Sequence, residues 1–244
     1  MKRDVFGQPR FLKRFLIRVF GIASWRRFVH HYEPVITGAE VFNTLPDTNV
    51  LIVSNHQTYF ADVMFMFHVI EAALDGSPNN IRHPGFLSVP KDNIYFVAAE
   101  ETMKKGILPR IMKAGGAITV KRTWRKDGED TNRPVDTNDT EKIYTALSAG
   151  WVISFPQGTT KPFVEGRKGT AHIIRNTNPI VVPIVIDGFR RAFDKKGLKK
   201  KKKGVPLRMT VKAPLNIDFE QPIEHILNQI MESIEQSENF LKVN

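Results

Sequence analysis

Five short apolar runs punctuate the chain: NVLIVS at 49–54, IYFVA at 94–98, AITVK at 117–121, WVISF at 151–155 and IVVPIVI at 180–186. Each has the length of a strand and is rich in β-branched or aromatic residues. Each is parted from the next by a polar turn or a stretch of helical periodicity. That alternation is the signature of an α/β fold, with strands gathered into a sheet and helices covering it. Helices are expected from Asp62 to Leu74, from Thr140 to Ala149 with Gly150 as the stop, and over 221–241. A further strand is expected at 208–213. Pro183 places the 180–186 strand at a rim or a bulge, because proline cannot donate to a ladder. Residues 123–139 (TWRKDGEDTNRPVDTND) lack apolar periodicity and read as a mobile excursion. With 244 residues, 41% of them hydrophobic, the chain is long enough for one sizeable core.

Charge narrows the partners. Lys and Arg number 36 against 25 Asp and Glu, a formal +11, which calls for phosphate, nucleic acid or an acidic membrane. The excess sits in two places: residues 1–32, with eight Lys/Arg against Asp4 alone, and the run Lys195 to Lys203, with seven lysines. Nucleic acid is disfavoured, since no zinc, RRM or KH signature occurs and the lysines lack interleaved aromatics. The absence of cysteine removes disulfides, thiolate nucleophiles and Cys-ligated metal.

No window approaches the roughly 18–20 consecutive apolar residues needed to cross a bilayer. On a helical wheel Phe11, Leu12, Phe15, Leu16, Val19, Phe20, Ile22 and Ala23 share one half, and Arg10, Lys13, Arg14 and Arg18 the other. A basic amphipathic helix of this kind buries its apolar face at the headgroup–acyl boundary and turns its cationic face to anionic lipid, unless the stripe packs on the protein's own core. The lysine run is expected either as a solvated loop or as a second electrostatic anchor on the same surface. The resulting division is a membrane-interface element over 1–34 and an α/β domain over 35–244.

Chemistry in an open α/β sheet belongs at the carboxyl ends of strands. NHQTYFAD, Asn55 to Asp62, follows the first run directly, and FPQGTT, Phe155 to Thr160, closes the fourth. A histidine at a strand end followed by a carboxylate is what a general base with an orienting acid needs, and His56 and Asp62 supply the pair.

Four segments taken in order, ITGAEVFNTLPDTNVLIVSNHQTYFAD, FVAAEETMKKGILPRIMKAGGAITVKR, FPQGTTKPFVEGRKG and IVVPIVIDG, resemble the four blocks of the 1-acyl-sn-glycerol-3-phosphate acyltransferases and the wider glycerolipid acyltransferase family. The resemblance covers roughly residues 35 to 190. It implies an α/β sandwich with helices around a mostly parallel sheet, preceded by an interfacial N-terminal helix. By the same resemblance His56 is the catalytic base and Asp62 its orienting acid. Arg122 holds the acceptor's phosphate with help from Lys104 or Lys105, and Gln157, Gly158 and Thr159 line the acceptor site. It implies no metal and no cofactor. The partners it implies are an acyl-ACP or acyl-CoA donor, a lysolipid acceptor and an anionic membrane surface, with the protein peripheral on the cytoplasmic face, in bacteria the inner membrane.

Three departures from the family pattern stand out. Five residues separate His56 from Asp62 where the family has four, so a bulge or a shifted helix start is required. Gln157 replaces a glutamate, and Thr160 an arginine, for which Lys161, Arg167 or Lys168 would have to stand in. These changes open two alternatives to lysophosphatidate acylation: a lyso-amino-acid acceptor such as an ornithine or glycine lipid, and a non-catalytic relative that binds lysolipid.

Overall fold

The computed structural model describes residues 2–103, 106–121, 125–126, 129–130 and 137–243. Helix α1 (Arg10–His31) leads into strand β1 (Glu33–Thr37). Then follow β2 (Val50–Ser54), α2 (Ala61–Leu74), β3 (Ile94–Ala99), α3 (Ile107–Ala114) and β4 (Ala117–Val120). A two-stranded antiparallel ribbon, β5 (Arg125–Lys126) and β6 (Glu129–Asp130), precedes α4 (Thr137–Ala149) and β7 (Trp151–Ser154). The chain continues through α5 (Lys168–Thr177), β8 (Ile180–Asp187), α6 (Phe189–Ala192), β9 (Pro206–Val211) and α7 (Ile223–Ser233).

Seven strands form one sheet in the order β1-β9-β8-β2-β7-β3-β4. Every pairing is parallel except β8 with β9. The expected mostly parallel α/β sheet is therefore present. Strand periodicity explains why the middle of the first run is apolar at successive positions: Val50 and Ile52 point into one hydrophobic cluster with α1 and α2, while Leu51 and Val53 point into a second with α4, α5 and α7. A strand buried on both faces has no position for a polar residue until it ends, which is where Asn55 and His56 appear.

Several boundaries differ from expectation. Pro183 lies in an interior strand, not at a rim. Its carbonyl accepts Lys212 N–H at 2.9 Å just past the last β8–β9 pair, Ile184↔Val211, so the missing N–H falls outside that ladder. The 208–213 strand runs Pro206–Val211, and the terminal helix stops at Ser233 because Glu235 takes a left-handed conformation, φ 58°. Residues 137–139 are not part of a mobile excursion but the first turn of α4. Buried Asp139 there accepts Lys121 N–H at 2.7 Å and the Lys142 ammonium at 2.8 Å.

Helix α1 departs from the sequence reading in its cationic face, which was expected to meet lipid. Its cationic face docks on the protein: Arg10 and Arg14 both pair with buried Asp92, Arg18 donates to Leu87 O and Ser88 O at 3.2 and 2.8 Å, and Lys13 is 1% exposed. Burial alone would push the Asp92 carboxyl up, but hydrogen bonds from the two arginines hold it below the ordinary range. Burial lowers the Lys13 amine to about 8, and its Nζ lies 4.1 Å from the centroid of the Tyr95 ring. The apolar stripe faces outward instead, with Phe11 59% and Phe15 57% exposed and Leu12, Val19, Phe20 and Ile22 also exposed. Only the C-terminal part of α1 enters the core, where Phe28 meets the Phe65 and Phe193 rings edge-on at 5.2 and 6.0 Å. No helix among the described residues is long and apolar enough to cross a membrane.

Candidate active site

Strands β2 and β7 are neighbours in register from Val50↔Trp151 to Val53↔Ser154, so the polar segments after them open side by side at one end of the sheet. Asn55 anchors the first segment to β8. Its amide donates to Ile186 O at 2.9 Å and its carbonyl accepts Ile186 N–H at 2.8 Å, extending the ladder by a side chain where the strand has ended. Gln57 adds a bond from Nε2 to the same carbonyl at 3.2 Å.

His56 Nδ1 lies 3.0 Å from Asp62 Oδ2. The fifth intervening residue is taken up by the loop, which bends around the carboxylate before α2 begins at Ala61. Asp62 Oδ2 accepts the Gln57 and Thr58 N–H groups at 2.6 and 2.9 Å, and Oδ1 accepts the Thr58 hydroxyl at 2.6 Å. The next two N–H groups, of Tyr59 and Phe60, are taken by the carbonyls of Lys195 and Lys196 at 3.1 and 3.0 Å. The extra residue therefore leaves no donor stranded, because a distant segment supplies acceptors. Gly197 makes that contact possible. At φ 79° it sits where a β-carbon would lie 2.6 Å from Ala61 N and 2.8 Å from Thr58 Oγ1. The start of the lysine run thus braces the histidine loop through its backbone, while its lysine side chains stay exposed to solvent.

The His56 ring stacks on Phe155 at 3.9 Å and 22°, so it is fixed by a ring on one side and a carboxylate at its edge. A carboxylate accepting at Nδ1 requires the hydrogen to be on that nitrogen and leaves Nε2 with a lone pair. His56 lines a cavity of about 810 Å³. Val63, Phe96, Met103 and Met112 give the cavity an apolar wall, and Gly158, Thr159 and Thr160 line it from the second segment. Gly158 turns that segment at φ 62°, donating to Phe155 O at 2.9 Å.

The acyltransferase family model matches residues 29–187, well over half of the chain. The chain belongs to the acyltransferase family. Among solved structures, the 1-acyl-sn-glycerophosphate (LPA) acyltransferase PlsC from Thermotoga maritima matches with a TM-score of 0.55 over 90% of this chain and 77% of that one, at 17% identity, which is a likeness of fold. No curated protein sequence matches the chain.

Within this acyltransferase the expected site residues divide. His56, Gly158 and Thr159 come together around the cavity, with Asp62 buried behind the histidine. Arg122, Lys104 and Lys105 lie outside the described residues; Lys121, next to Arg122, lines the cavity. Of the three substitutes for the lost arginine, Arg167 and Lys168 line the cavity at the start of α5 and Lys161 does not. Lys168 also pairs with Glu224 at 2.6 Å.

Gln157 is a correction. It is 1% exposed and does not line the cavity; its Nε2 donates to Val164 O at 2.9 Å and to Gln236 Oε1 at 3.3 Å. Both partners are acceptors, so an amide fits where a carboxylate would be repelled, and the glutamine is a strut of the loop rather than a contact for the acceptor. Gln157→Glu is expected to lower stability by about 1–3 kcal/mol in urea unfolding. An unchanged midpoint would show that the strut is not needed.

Sequence reasoning gave no role to Arg190. Its N–H donates to Gln57 Oε1 at 3.1 Å and its guanidinium to Thr160 O, so it ties the histidine loop to the glycine–threonine loop. Nothing local marks it, since the link joins residues 133 and 30 positions away. Asn55 had a faint signal, as a polar residue directly after a fully apolar strand.

Proposed function

We propose that this acyltransferase moves a fatty acyl group from an acyl thioester, on acyl carrier protein or coenzyme A, to the hydroxyl of a lysophospholipid at a membrane surface, with 1-acylglycerol 3-phosphate as the preferred acceptor. The observation that carries this reading is the His56–Asp62 pair at the wall of a largely apolar cavity. His56 Nε2 takes the acceptor's hydroxyl proton as the oxygen attacks the thioester carbon. Collapse of the tetrahedral intermediate breaks the C–S bond, and the imidazolium returns the proton to the departing thiolate. Asp62 keeps the ring in the needed tautomer and stabilises its charged form.

The acyl chain has a place to go. Val63, Phe96 and Met112 also line a second, apolar pocket of about 320 Å³ beneath α1, so the two hollows share walls. Arg167 and the N-terminal end of α5 at the cavity give an anionic headgroup a favourable rim, and the family resemblance adds Arg122. The outward apolar stripe of α1 supports peripheral attachment, with Phe11 and Phe15 inserted at the acyl boundary.

The test is a headgroup panel with purified protein and one acyl thioester. Diacyl product is expected to form fastest from lysophosphatidate, more slowly from lyso-amino-acid lipids. A reversed order would move the acceptor to the amino-acid class, and lysolipid binding without product would make the chain a binding protein.

A further inference from the structure

A cationic hollow lies away from the active-site cavity, between the end of α1 and the lysine run. It is an open cleft walled by Arg26, Arg27, His30, His31, Lys199 and Lys200, with Ala23 and Leu198 completing it and no carboxylate in the wall. The protein compensates this charge only in part. Arg27 lies over the Phe193 ring at 4.7 Å, and its Nε and Nη2 are buried without an acceptor. His31 is held below the usual imidazole range by burial and by Lys200, Lys203, His30 and Arg27 around it.

The cleft also terminates the apolar stripe. Phe11, Phe15, Val19, Ile22, Arg26 and His30 follow one another at helical spacings of three or four, so they share one exposed face of α1. An apolar track ending in a cationic hollow suits an acyl chain with a phosphate at its head.

We propose that this cleft is a seat for the phosphate of an anionic phospholipid of the host membrane, separate from the acceptor bound at His56. The cations converge on it from two segments, α1 and the loop after α6, so bound lipid clamps them together. That same loop carries the Lys195 and Lys196 carbonyls that brace the histidine loop, which puts the seat one short segment from the catalytic pair. The seat deepens the membrane reading above and rests on it for its occupant; the readout is binding, so it stands apart from the transfer reaction.

Two variants separate a built seat from diffuse charge. Arg26→Gln/Lys200→Gln removes one cation from each wall. Arg175→Gln/Arg208→Gln removes two exposed cations carried by α5 and β9 and leaves the cleft intact. Partition is measured on phosphatidylcholine vesicles with and without phosphatidylglycerol, and His31 is titrated by NMR with dihexanoyl-phosphatidylglycerol below its micelle point. Expected are an added affinity for the anionic vesicles that falls about tenfold or more in the first variant and little in the second, and a saturable rise of the His31 midpoint that the first variant loses. Equal losses in both variants would reduce the site to general charge. An equal rise with glycerol phosphate at the same concentration would assign it to free phosphate instead of lipid. Equal wild-type binding to both vesicles would remove the seat while leaving the membrane reading standing, and binding to neither would remove both.

Discussion

Replacing His56 by alanine lowers acyl transfer by about 10²–10⁴-fold and leaves the fold nearly as stable as before. The rate falls because the imidazole that Asp62 orients at the cavity wall, 3.0 Å from its carboxylate, is gone. Stability holds because the fold asks little of the imidazole. Its partner Asp62 still accepts Gln57 N–H, Thr58 N–H and the Thr58 hydroxyl, and Phe155 loses one stacked ring in a place already open to the cavity. A loss of no more than about 1 kcal/mol is expected. Steady-state transfer from acyl-CoA together with thermal unfolding of the same sample checks both halves. Retained turnover would refute His56 as the base.

Asp62→Ala behaves differently, because that carboxylate serves both the chemistry and the fold. It is fully buried and takes four hydrogen bonds from three consecutive residues. Removing it strands buried donors at Gln57 and Thr58, each costing on the order of 1–3 kcal/mol, so a total of about 3–5 kcal/mol is expected. Transfer falls as well, by about a hundredfold or more, since the imidazole loses both its orientation and the stabilisation of its protonated form. Denaturant unfolding separates the two effects. A variant inactive but as stable as wild type would mean that the loop does not depend on Asp62, and an active one would detach the acid from the mechanism.

The fold was legible where local pattern and tertiary position agree. The centres of NVLIVS, IYFVA and WVISF are apolar at successive positions because their strands are covered on both faces, and the strands form close to where those runs lie. β1 was not legible: Glu33–Thr37 is a short edge strand with only Ile36 buried, and its partner β9 lies far along the chain. The direction of α1 was hidden for a similar reason. Its amphipathic pattern shows two faces but not which one the protein covers, and that is decided by Asp92, to which Arg10 and Arg14 turn. At the site, His56 and Asp62 could be read as a pair, yet the accommodation of the extra residue could not. It depends on carbonyls of Lys195 and Lys196, more than 130 positions away, in a segment whose sequence advertises only charge. Gln157 looked like a changed ligand because motif position says nothing of which way a side chain turns.

The role of His56 as base rests on which ring nitrogen carries the hydrogen. In ¹⁵N NMR of histidine-labelled protein, at a pH where the ring is neutral, His56 is expected to carry its hydrogen on Nδ1 and show an unprotonated Nε2, the state imposed by an ionised Asp62 at 3.0 Å. Asp62→Asn should disturb that signature. A wild-type His56 found with the hydrogen on Nε2 would leave no lone pair facing the cavity and would contradict the account.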